Sequence, residues 1–211
     1  MIDKKVRVAL FGSYYRGFET LRALLDYQTQ STIEIVGVAT DDPTNSFVSP
    51  QKRVWQYPHT RDEEEMVKNL AQKNGIDVYT GRVKTDAFYK KFEKQWKPDV
   101  CYMATFGQLI NAKLFNFPKL GFYNLHPSFD DQWPSYVGGN PFAEMIRDGK
   151  EYVVVTLHEV NEKFDDGKFV ARTEQITMPT GPTVTGLHKL TAIPAARLAI
   201  EHLKNSVSAL S

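Results

Sequence analysis

The sequence predicts an α/β fold, a mostly parallel sheet flanked by helices. Three observations carry this. Val6–Phe11, Ile33–Ala39 and Pro98–Thr105 are short, largely apolar runs, the pattern of strands covered on both faces. Segments with helical periodicity or helical end signals lie between them, as at Phe18, Leu21, Leu24 and Leu25. The run from Val6 through Gly12 to Gly17 and into that helix is strand, glycine turn, helix, the first half of a βαβ unit. The arrangement is Rossmann-like, although the Gly12–Gly17 turn lacks the Gly-x-Gly-x-x-Gly spacing of a dinucleotide fingerprint.

Composition sets the bounds. With 211 residues and 42% apolar content, the chain has material for one large domain with an ample core. A net charge of +1 draws it neither to nucleic acid nor to a membrane surface. The one cysteine, Cys101, excludes a disulfide framework and a cysteine-built zinc site, and five scattered histidines lack ligand spacing, so no metal is expected. Met1–Val6 has no signal-peptide character and no membrane-spanning run follows, so the expected location is cytoplasmic.

Each element has its local reason. The glycine turn behind the first strand is either a bare tight turn or an anion site at a helix N-terminus. In the second case Gly12 and Ser13 form the turn, Arg16 is the phosphate partner and Tyr14 or Tyr15 a stacking surface. Asp41-Asp42-Pro43 closes the second strand; Thr44–His59, with Phe47, Trp55 and Tyr57, reads as a long loop of exposed aromatics. Asp62–Lys73 has acidic residues first and Asn74-Gly75 last, the polarity of a helix, and Ile76–Tyr79 is a short strand. Thr85–Trp96 reads as a helix whose stripe of Phe88, Phe92 and Trp96 belongs to the core. Pro141–Asp148 starts a helix with proline in its first turn, and Tyr152–Val160 and Lys168–Gln175 are strands. From Pro182, with Thr183 as N-cap, the chain is helical, and Pro194 implies a kink or two helices.

The stretch Gly121–Ser128 organises the rest. Gly121–Leu125 reads as a buried strand that ends in His126-Pro127-Ser128, the proline turning the chain out of the sheet. Asn124 and His126 are two residues apart, so both side chains project from one face at the carboxyl edge, where α/β sheets bind ligands. An amide beside an imidazole offers a donor for an oxyanion and a group that passes a proton.

Asn124-Leu-His-Pro-Ser128, Pro134-Ser-Tyr-Val-Gly138, Thr156-Leu-His-Glu-Val160 and Asp165-Asp-Gly167 occur in that order. This set resembles the catalytic domain of the folate-dependent formyltransferases and covers the chain from about Lys5 to Thr180. The resemblance implies that fold, with a catalytic domain at 1–180 and a helical extension at 181–211 packed on it. It implies Asn124, His126 and Asp165 as catalytic residues, with Asp165 rather than Asp166 as the family aspartate; His158, within its apolar strand, reads as a core or supporting histidine rather than a catalyst. It implies N10-formyltetrahydrofolate as co-substrate, cradled by Met103, Ala104, Thr105, Phe106 and Gly107 and by the loop residues Asn161, Lys163 and Phe164.

The chain departs from the family after Ser128, where Phe129-Asp-Asp-Gln-Trp-Pro134 is three residues longer than the usual Leu-Leu-Pro. Asp130, Asp131 and Trp133 are thereby candidates to reach the acceptor, with Ser128 and Gly12–Arg16 completing its site. The aromatic residues after Gly12 and in the 44–59 loop resemble a site for a nucleotide-linked amino sugar, so the sequence implies a sugar-nucleotide N-formyltransferase of surface-polysaccharide or O-antigen synthesis. The implied partners are that sugar and folate, and a homodimer is one assembly the sugar enzymes suggest. Phosphoribosylglycinamide formyl transfer and a non-catalytic folate-binding role are the alternatives. A tRNA substrate is not expected, because the chain ends without the further domain of those enzymes and has no basic excess.

Overall fold

A computed structural model of the protein describes residues 5–48, 54–130 and 132–209. Its sheet contains β1 (Val6–Gly12), β2 (Ile33–Ala39), β3 (Val78–Tyr79), β4 (Val100–Ala104), β5 (Phe122–Ser128), β6 (Tyr152–Glu159), β7 (Phe169–Arg172) and β8 (Ile176–Thr177). The spatial order is β3-β2-β1-β4-β5-β6-β7, with β8 also pairing β6. Strands β1 to β5 pair in parallel, whereas β6 runs antiparallel to β5, β7 and β8. The direction of winding reverses between β1 and β4, which opens a crevice beyond their carboxyl ends.

Alternate residues of β1 serve opposite layers. Val8 and Leu10 face a core built with Leu21 and Leu24 of α1 (Tyr14–Gln28), Val67 of α2 (Arg61–Lys73) and Ala195, Ala199 and Leu203 of α6 (Val184–Ser208). Ala9 and Phe11 face the other layer with Cys101, Phe122, Phe88 of α3 (Asp86–Lys91), and Phe92 and Trp96 of the π-turn Phe92–Trp96. Phe11 meets the rings of Phe88, Phe92, Trp96, Phe106 and Phe122 at centroid distances of 4.9–6.4 Å. Each such buried ring contributes about 1.5–3 kcal/mol over its exposed state. The Trp96 indole lies so close over Gly37 of β2 that a Cβ there would collide with it. Two short helices, α4 (Ala112–Phe115) and α5 (Pro141–Arg147), and the 3-10 turn Val54–Gln56 complete the elements among the described residues.

Four sequence expectations change. β5 does not stop at Leu125 but continues through Pro127 to Ser128, paired with β6 along its whole length. Its pairing with β4 ends at Asn124, so beyond that point β5 has a free edge and the missing proline N–H breaks no ladder on that side. The expected strand 168–175 is two separate strands, β7 and β8. The expected helix 85–96 ends its α-helical part at Lys91 and closes in the π-turn. α6 is one helix through Pro194, and Leu190, whose carbonyl loses its donor there, is 41% exposed and open to water. Among the described residues no helix is long and apolar enough to cross a membrane.

Candidate active site

The antiparallel register of β5 and β6 sets Asn124 opposite His158 and His126 opposite Thr156. His158 holds its Nδ1 proton on the Glu159 carbonyl at 2.8 Å, which leaves Nε2 as an acceptor for Asn124 Nδ2 at 3.2 Å. The other Asn124 N–H donates to Asp165 Oδ1 at 2.8 Å, so both amide hydrogens are engaged. Asp165 reaches this point from the β6–β7 loop with φ 45, a left-handed conformation costing about 1–3 kcal/mol for a non-glycine residue. Gly167 lets the loop press in: a Cβ there would collide with the Glu159 carbonyl. The Gly138 N–H donates to Asp165 Oδ2 at 3.0 Å, while Asp166 lies outside, 3.3 Å from Lys163.

His126 donates from Nε2 to the Tyr136 carbonyl at 2.8 Å and turns Nδ1 to Asp165 Oδ1 at 3.3 Å. Burial lowers the His126 pKa, against the raising influence of Asp165 and the Tyr136 carbonyl. For Asp165, burial alone would raise the pKa, but His158, the His126 charge and the Gly138 N–H outweigh it and hold the carboxyl below its ordinary value. The site is therefore a carboxylate facing an imidazole that is reluctant to stay charged. Such a pair can take a proton and return it.

This cluster opens into a cleft with two walls. Met103, Thr105, Phe106 and Gly107 at the end of β4, with Asn161, Lys163 and Phe164 from the β6–β7 loop, form one. Val54, Trp55, Arg16, Pro141 and His188 form the other. Asp41 ties the crevice together, accepting from Gly107 N at 2.7 Å and from Ser13 Oγ at 3.2 Å. Thr105 (φ 59), Tyr14 (φ 57) and Tyr136 (φ 51) share the left-handed conformation of Asp165, so strained backbone gathers around the cleft.

The structure thus brings Asn124, His126 and Asp165 together, and seven of the eight residues expected to cradle folate line the cleft; Ala104 does not. Of the expected acceptor residues, Arg16 alone lines it. Gly12 packs against Gly17, and Ser13 bonds Thr40 and Asp41. Tyr14 is buried against Trp55 and His188 and cannot be a stacking surface, and Tyr15 is turned to Glu63 and Lys189. Ser128 is fully buried on the Thr156 hydroxyl at 2.6 Å. Trp133 packs on His158 at 4.9 Å and donates to the Gly167 carbonyl at 2.9 Å, bracing the β6–β7 loop. Asp130 is held by Tyr152 and Gln175, and Asp131 lies outside the described residues. The expected loop of exposed aromatics is folded in where described: Val48, Val54 and Trp55 are buried with Tyr14, and 49–53 lie outside the described residues.

Sequence reasoning missed Asp41 and His188 as site residues, and reached Trp55 only as one aromatic of the 44–59 loop. Asp41 at a strand end was the one local signal; His188 sits on a helix whose position only the tertiary fold defines.

A mostly parallel sheet with a reversed crevice, an antiparallel flank carrying Asn124, His126 and Asp165, and a two-walled cleft define an α/β domain with a ligand site at the switch point of its sheet. The chain belongs to the formyl transferase family, which it matches over residues 6–201. It is 28% identical over 142 residues to the methionyl-tRNA formyltransferase of Thermotoga maritima, covering 65% of this chain and 43% of that protein. To the Thermotoga neapolitana enzyme of the same name it is 26% identical over 202 residues, 94% of this chain and 58% of that one. The chain therefore spans about half the length of these relatives. Among solved structures it is similar to phosphoribosylglycinamide formyltransferase from Streptococcus pneumoniae TIGR4, with a TM-score of 0.68 at 16% identity, over 95% of this chain and 98% of that one. It is also similar to a formyltetrahydrofolate deformylase from Pseudomonas syringae, with a TM-score of 0.67 at 18% identity, over 96% of this chain and 63% of that one. These likenesses to solved structures bear on the fold alone.

Proposed function

We propose that this protein is an N-formyltransferase of the cytoplasm that moves a formyl group from N10-formyltetrahydrofolate to the primary amine of a nucleotide-linked amino-deoxy sugar. The observation that carries the formyl-transfer reading is the mutual hydrogen-bond reach of Asn124, His126 and Asp165 where the two walls of one cleft meet. The β4 side suits a flat pterin, since Met103, Thr105, Phe106, Gly107 and Ile110 line it. The opposite wall, with Trp55, Val54 and Pro141, suits the apolar face of a pyranose, and a net charge of +1 gives no field for a polyanion.

The co-substrate supplies the formyl carbon; the chain supplies position, a hydrogen-bond donor and a proton store. When the acceptor amine adds to the formyl carbon, the new C–N bond leaves negative charge on the formyl oxygen. Asn124 meets that charge by exchanging its longer bond, the 3.2 Å contact to His158, for one to the oxygen. The Asp165–His126 pair takes the proton the amine releases and returns it to the departing N10 as the old C–N bond breaks. Exclusion of water by the buried site favours transfer over hydrolysis.

The test is tetrahydrofolate release against a panel of nucleotide-linked 4-amino and 3-amino deoxysugars, glycinamide ribonucleotide and methionyl-tRNA, with His126→Ala as control. Turnover on an amino sugar that vanishes in the variant is the expected result. Turnover on another acceptor alone replaces the sugar assignment, and release without any acceptor makes the protein a deformylase.

A further inference from the structure

Arg16 is 2% exposed, and among the described residues no carboxylate pairs with it. Its terminal nitrogens donate to the hydroxyls of Thr105 at 3.0 Å and Thr191 at 3.4 Å, and its Nε has no partner. The Phe142 ring, 5.6 Å from the guanidinium carbon, is the one further group that softens the charge. His188 beside it is buried, and its Nδ1 likewise lacks a partner. Both residues line the acceptor side of the cleft. A folded chain rarely keeps a cation out of water without a counter-charge, because desolvation is not repaid by hydroxyl dipoles alone. Burial accordingly draws the guanidinium pKa down to about 9, and the same charge reaches His126, whose pKa it lowers. The cation therefore lies within electrostatic range of the reacting groups.

We propose that Arg16 is the counter-charge for an anionic oxygen group, phosphate or carboxylate, that the amine acceptor carries into the cleft, with His188 Nδ1 and Arg16 Nε as the groups it satisfies. This rests on the formyl-transfer reading of the site and narrows it. The acceptor is an amine whose anion lies inside the same cleft as its nitrogen, so a neutral amine of equal size is a poor substrate. The flat fork of arginine, fixed by Thr105 and Thr191, suits two oxygens of one such group.

The experiment titrates the full chain separately with inorganic phosphate and with acetate, followed by amide NMR shifts, in the native protein and in Arg16→Met. Saturable binding of at least one probe is expected, weakened tenfold or more by the substitution, with 5-formyltetrahydrofolate affinity kept within twofold. Saturation by phosphate alone supports a phosphorylated acceptor, and by acetate alone a carboxylated one. Should Arg16→Met fail to fold, Arg16→Gln drops the charge and keeps partners for the two threonines. Binding of neither probe to the native protein overturns the proposal, as does equal binding after substitution or a parallel loss of folate affinity. The same variants are then assayed with any acceptor that turns over, where KM for an anionic acceptor rises at least tenfold and kcat changes less. Silence of the whole acceptor panel with anion binding intact removes the sugar reading and leaves the anion site. Turnover with no anion binding does the reverse.

Discussion

His126 faces two acceptors with one certain proton: the Tyr136 carbonyl takes the Nε2 hydrogen, and Asp165 waits at Nδ1. That geometry makes the pair a unit. His126→Ala and Asp165→Asn are each expected to lower kcat by about 10²- to 10⁴-fold. The double variant should fall little further, since removing either member disables the proton store. Comparison of the three rates checks this; losses that simply multiply would mean the two side chains act apart. The spacing of Asn124 and His126 was legible because a strand repeats every two residues. The burial of Arg16 was not, because Thr191 and Phe142, which enclose it, lie more than a hundred residues away in sequence.

At the scale of elements, the β6–β7 loop is the least tolerant part of the site. Its Gly167 is fixed by the approach of the Glu159 carbonyl rather than by a turn, although Asp-Asp-Gly between strands reads from sequence as an ordinary hairpin turn. Gly167→Ala should push the loop outward, carry Asp165 away from Asn124 and reduce turnover at least tenfold. Thr60→Ala offers the contrast. It removes the capping box of α2, in which Thr60 accepts from the Glu63 N–H and Glu63 from the Thr60 N–H, and should cost about 1 kcal/mol of stability with kcat unchanged. Urea unfolding and turnover of both variants separate a positioning role from a purely structural one. That helix was readable from its acidic start and glycine end, since caps are local. The extension of β5 through Pro127 was not, because it depends on β4 being shorter than β6.

The whole molecule carries three histidines, His126, His188 and His202, whose folded pKa values burial lowers. In the unfolded chain each titrates near 6.5. Above that pH both states are neutral there and stability is at its full value. As pH falls below about 6.5, the unfolded chain binds protons that the folded one refuses, so stability drops by up to about 1.4 kcal/mol per pH unit for each group until its own lower pKa is reached. Asp165 acts in another window: its folded pKa is lowered, so its contribution is intact above about 3.9 and lost only as pH falls through the folded value. Unfolding free energies from urea titrations should thus be flat between pH 8 and 7 and decline from pH 6.5 to 5.5. A flat profile throughout would show that these imidazoles take up protons in the fold as readily as in the unfolded chain. The architecture itself was readable at this scale, since apolar runs covered on both faces specify a sheet between helical layers. The strand order was not, because pairing is decided by contacts that no local pattern encodes.

Trp133 stands edge to face with His126 at 6.4 Å and leans on His158 at 4.9 Å, while Trp96 is sealed in the opposite core layer and Trp55 lies on the far wall of the cleft. A charged imidazole drains the excited state of a nearby indole far better than a neutral one does. The longer loop that replaces the family's Leu-Leu-Pro therefore gives His126 a lamp of its own. With the other two indoles replaced by phenylalanine, its brightness follows the proton through the site without any dye.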